Sequence, residues 1–151
     1  MDWIFDVIYK NRILLKGILE QLSLKELNTI PSGFKNNVIW NIAHTIATQQ
    51  ILVYKLSGLP TLVSDEFIEQ FRKGTKPERE VTQEEVDNIK DLLFATLEQT
   101  KMDYANQIFN SYNEYTTSTN STLTCVEDAI GFNCFHEGIH LGYILALKKS
   151  I

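Results

Sequence analysis

The stretch Thr124-Cys-Val-Glu-Asp-Ala129-Ile-Gly-Phe-Asn133-Cys-Phe-His136-Glu-Gly-Ile-His140-Leu-Gly-Tyr143-Ile-Leu-Ala-Leu147 reads as one long helix. Thr124 and Glu127 have the spacing of a capping box at its start. No proline interrupts it. Ala129, Asn133, His136, His140, Tyr143 and Leu147 recur at alternating steps of four and three, which predicts a core-facing seam. His136 and His140 then lie one above the other on a single face. At that spacing two imidazoles can reach one ion at about 2.1 Å.

The same period runs through the rest of the chain. A first helix is predicted from Trp3 to Leu22, with Ile4, Val7, Ile8, Leu14, Leu15, Ile18, Leu19 and Leu22 as its apolar positions. Ser23 and Glu26 form a second capping box, and Pro31-Ser-Gly follows. The next helix runs from Lys35 to Ser57 and stops at Gly58, with Pro60 beyond. Leu59 to Val81 is a long connection with room for a short helix from Ser64 to Arg72 and a loop at Gly74-Thr-Lys-Pro77. Thr82 and Glu85 open the third long helix, which runs to Ala105. Ser111 to Ser121 is polar and reads as a loop or exposed turn. Four long helices in one domain, residues 1–151, predict an all-α four-helix bundle.

His44 falls on the second long helix, in the seam Trp40, His44, Ala47, Ile51, Tyr54. It is the chain's only other histidine. Bundles often build metal sites from side chains on facing helices. Three histidines leave positions open for water or substrate, as catalytic zinc sites do. A histidine on an apolar face is also a common hydrogen-bonded core residue. The pairing of His136 with His140, together with His44 on a second seam, tips the balance to a ligand.

His136-Glu-Gly-Ile-His140 also matches the zincin protease signature, with Glu137 as base. A zincin takes its third ligand downstream, and no histidine or acidic residue follows His140. Glu137 remains a candidate base or an acceptor for an imidazole N–H, and equally a solvent-facing or inter-helix carboxylate. Asn133 and Tyr143 are candidate substrate-binding residues, and Asn41, three before His44, is a candidate to orient a ligand. Gly131, Gly138 and Gly142 fall within about 40° of one another on the last helix. Each costs about 1 kcal/mol relative to alanine. Close approach by another helix, of this chain or of a second subunit, would explain them.

Composition narrows the function classes. The net charge is −5 and no dense basic cluster is present, which argues against nucleic acid as a partner. No apolar run reaches the length of a membrane span, and Asp2 follows Met1 where a leader would carry cations. A cytoplasmic protein is expected. The two cysteines, Cys125 and Cys134, would sit roughly 13 Å apart along one helix, too far for a disulfide.

Two segments resemble a known family. Asn37-Val-Ile-Trp-Asn-Ile-Ala-His44, with the run to Gly58-Leu-Pro60, resembles the second helix of the DinB-like (YfiT-like) proteins. His136-Glu-Gly-Ile-His140-Leu-Gly142 resembles that family's His-x-x-x-His-x-Gly ending. The resemblance implies a bundle with a long crossover between its second and third helices. It implies one divalent ion held by His44, His136 and His140: zinc or nickel first, iron or manganese next. It also implies a homodimer, and in some members transfer of a small thiol such as bacillithiol, mycothiol or glutathione. The alternatives are a metal-binding stress or interaction protein without catalysis, and a metal-dependent hydrolase. An open cavity beside the ion would separate an enzyme from a plain binder.

Overall fold

A computed structural model describes residues 1–151. Its four long helices are α1 (Asp2–Gln21), α3 (Val38–Gln50), α5 (Gln83–Ala105) and α6 (Val126–Leu147). Two short ones, α2 (Leu24–Asn28) and α4 (Asp65–Phe71), and a two-residue hairpin, β1 (Tyr115–Thr116) with β2 (Thr122–Leu123), complete the chain. None is long and apolar enough to cross a membrane.

Local chemistry sets the boundaries. Ser23 with Glu26 and Thr82 with Glu85 form reciprocal capping boxes at α2 and α5. Asn37 caps α3 by accepting from the Trp40 N–H, and Ser64 caps α4 by accepting from Phe67. The box expected at α6 differs. Helix α6 starts at Val126, and the carboxylate of Asp128, not Glu127, takes the N–H and hydroxyl of Thr124. Glu127 accepts instead from the Tyr104 hydroxyl. Helix α3 runs on as a wider π turn over Ile51–Lys55, and Gly58, at φ +73°, ends it.

Pairings between helices give the topology. Phe5 meets Tyr104 and Tyr9 meets Phe94, so α1 and α5 are antiparallel. His44 meets His140 while Leu52 and Phe132, further along, line one cleft, so α3 and α6 are antiparallel too. Gln49 bonds Thr100 and Tyr54 bonds Asp103, so α3 and α5 run parallel. Two parallel helices joined in sequence require a connection that travels back along the bundle. Residues 57–82, carrying α4, are that crossover.

The core has two apolar layers. Leu15, Ile42, Ile46, Leu93 and Ile144 belong to one, and Phe5, Ile8, Leu52, Val53 and Ile130 to the other. A buried polar belt is built from Arg12, Thr96, Asn133 and Glu137, with Gln49 and Thr100. Arg12 stands among the buried positions Phe5, Ile8, Leu15 and Leu19, on the inner face of α1. Leu14, one of the apolar positions of that helix, is 56% exposed.

Candidate metal centre

Helix α3 is buried on nearly every side, so it can present His44 inward from its middle. Its neighbour Trp40 stacks on the imidazole, centroids 4.7 Å apart and planes 10° from parallel. His44 Nδ1 donates to the carbonyl of Phe71, the last residue of α4, at 2.6 Å. That bond turns Nε2 outward with its lone pair free to coordinate. The Thr48 hydroxyl lies 3.3 Å from it and would turn away where an ion takes that lone pair.

His140 is set by a similar device. Its Nδ1 lies 2.9 Å from Oδ1 of Asn41. Asn41 is wholly buried, and its amide nitrogen donates to Asn36 Oδ1 and the Asn37 carbonyl. Those two acceptors fix the amide so that Oδ1 must face His140, which therefore carries its proton on Nδ1. Asn41 thus orients a candidate ligand, but the one across the helix pair, not His44 on its own helix.

His136 completes the group. Its ring centroid is 4.5 Å from that of His140 and 5.2 Å from that of His44. One ring nitrogen from each histidine lies within 4.8 Å of the others, so one ion can be reached by all three. His136 Nδ1 is buried with no hydrogen-bond partner in the protein. Such an orphan costs free energy unless a group beyond the protein answers it. Burial, aided by repulsion from His140 and His44, lowers the pKa of His136 to about 3. Burial, then the nearby His44, lowers that of His140 to about 4. Burial lowers His44 as well, against the raising effect of its Phe71 bond. All three rings are therefore neutral donors at pH 7, the form a metal requires.

The histidines open on a cleft of about 470 Å³. Ile51, Leu52, Phe132 and Ile139 give it apolar walls. Arg72 and Lys73 lie on one rim, and Thr117, Ser118 and Thr119 of the hairpin turn lie on another.

The remaining expected site residues sit elsewhere. The expected seam is met at Ala129, Asn133 and Leu147 and displaced elsewhere: the buried residues of α6 are Val126, Ala129, Ile130, Asn133, Glu137, Ile144 and Leu147, with His136 and His140 half-buried on their flank. Glu137 is fully buried at the centre of that line and accepts from Arg12 at 2.7 Å and from Asn133 at 2.9 Å. It bonds to no histidine and does not line the cleft; its place is that of the inter-helix carboxylate. Asn133 serves the same buried pair and does not line the cleft. Tyr143 packs edge-on against Phe34, also away from the cleft. A Cβ built on Gly131, Gly138 or Gly142 meets nothing within 4 Å, so no helix of this chain explains them. Sequence reasoning missed Arg12, the Phe71 carbonyl, Thr48 and the two rims. Only Arg12 left a signal, as a cation at a core position of the α1 period.

The DinB superfamily model matches residues 8–144, and the chain belongs to that superfamily. A conserved protein from Enterococcus faecalis superposes with a TM-score of 0.69, over 99% of this chain and 95% of its own, at 16% identity. That likeness speaks to the fold alone. No curated protein matches the chain.

Proposed function

We propose that this chain is a divalent-metal enzyme that transfers a small thiol of the bacillithiol, mycothiol or glutathione type to an electrophile. The observation that carries it is the convergence of three neutral histidine nitrogens on the wall of an open cleft. His44, His136 and His140 would hold the ion, zinc or nickel first. A bound divalent ion acidifies a thiol at its open position. The Phe71 carbonyl and Asn41 hold two of the rings in the required tautomer. The apolar walls keep water from the sulfur. In the transfer the thiol proton passes to solvent, a sulfur–carbon bond forms and a carbon–halogen bond breaks. The halide leaves with the bonding pair.

The cleft supports a catalytic reading over a plain metal binder, which needs no cavity for a second molecule. A homodimer belongs to the same proposal. The outer face of α6 carries Gly131, Gly138 and Gly142 beside exposed Phe135 and Leu145, and a helix apolar on all sides wants a partner on each.

The test is an assay of metal-loaded and chelated protein with each thiol and a halogenated acceptor such as monobromobimane or a chlorinated aromatic. A metal-dependent rate with at least one thiol, lost in His136→Ala, is expected. No such rate with any of them returns the chain to a metal-binding protein without catalysis.

A further inference from the structure

The cleft has a charge of its own. The protein carries a net −5, yet the charged residues lining the cleft beyond the histidines are Arg72 and Lys73, and no acid lines it. Both cations follow directly on Phe71, whose carbonyl holds His44. Successive Cα atoms are about 3.8 Å apart, so the cations begin one and two steps from the residue that anchors a proposed ligand.

Arg72 is partly engaged. Its Nε donates to Glu69 at 2.7 Å and its Nη1 to the Lys73 carbonyl at 3.4 Å. The pair with Glu69 is exposed, three residues apart at the end of α4, and such pairs are weak and easily exchanged. Nη2 has no protein partner, and Lys73 forms no ion pair. The hydroxyl-bearing residues Thr117, Ser118 and Thr119 line the same cleft. Ile51, Leu52, Phe132 and Ile139 and the three histidines line it as well.

We propose that Arg72 and Lys73 select the substrate of this cleft: a compact anion whose carboxylate or phosphate meets the two cations while its other end reaches the histidines. This rests on the metal-site reading for what the second end does, but the cationic rim exists without the ion. A low-dielectric cleft of one sign concentrates ligands of the other, and does so less as salt rises. A neutral molecule of the same size gains nothing at the rim.

The experiment is an amide NMR titration of zinc-loaded and of EDTA-treated protein with mercaptosuccinate, neutral 1-thioglycerol and inorganic phosphate. Expected is a preference of about five- to tenfold for an anion over 1-thioglycerol, present in both forms of the protein and reduced by salt. The shifts should centre on Arg72, Lys73 and Thr117–Thr119. In Arg72→Gln/Lys73→Gln the preference should collapse while binding of 1-thioglycerol is kept. Mercaptosuccinate alone binding assigns the rim to carboxylates, and phosphate alone assigns it to phosphates. Equal binding of anionic and neutral probes, or a preference that survives in the double variant, overturns the proposal. Failure of zinc to move the histidine signals would count against the metal site instead, and the EDTA-treated titration would still decide the rim.

Discussion

The Arg12 guanidinium and the Glu137 carboxylate, 125 positions apart, meet at 2.7 Å with neither side chain exposed. Arg12 also donates to the Leu93 carbonyl and the Thr96 hydroxyl, and Asn133 donates to Glu137. One network thus ties α1, α5 and α6 together. Glu137 neighbours His136, so this pair sets the rotation of α6 that turns His136 and His140 toward α3. Glu137→Gln leaves a buried cation without its counter-charge and should cost about 3–5 kcal/mol in urea unfolding. Arg12→Met with Glu137→Leu removes both charges and should cost much less than the two single changes added. A Glu137→Gln protein of native stability would show the network to be dispensable.

Asn41 reaches His140 across the helix pair. Asn41→Ala should keep the bundle and weaken metal binding about 10- to 100-fold, measured by competition with a chelator. Unchanged affinity would mean that His140 finds its tautomer unaided.

The metal-free protein should lose stability in acid. An unfolded histidine takes up its proton near pH 6.5, whereas His136 does so near 3 and His140 near 4 in the fold. Below 6.5 the unfolded state therefore binds more protons than the native one. Stability should be full above about pH 6.5 and fall as the pH drops through that window. Urea midpoints of wild type and His136→Ala across it check this. The variant should have the flatter profile.

If a second copy covers the outer face of α6, Gly138→Ala and Gly142→Ala should weaken the dimer, seen by light scattering. If nothing covers it, the same changes should raise helix stability by up to about 1 kcal/mol each. A monomer with stabilised variants would overturn the homodimer.

Much of this was legible in the chain. Capping boxes at Ser23 and Thr82, the stop at Gly58 and the helical period fixed four helices, because these signals are local. The three histidines were legible because they fall on inner or near-inner faces of two helices. Glu137 was left between a site role and an inter-helix one because His136, His140 and Glu137 lie within about 100° on α6, and a period alone cannot say which edge of that arc is the centre of the core. What decided it was Arg12, 125 residues away, and no local pattern announces such a partner. The rims were hidden for the same reason. Arg72 and Thr117 reach the cleft only after the crossover and the hairpin fold back over it.

The metal content of protein purified without a nickel column, and then dialysed against zinc or nickel, tests the central claim most directly. Wild type should hold close to one ion per chain, as the three converging nitrogens require. His136→Ala and His140→Ala should fall to background while keeping their helical circular dichroism. A wild type that takes up no ion, or variants that hold as much as wild type, would contradict the metal centre.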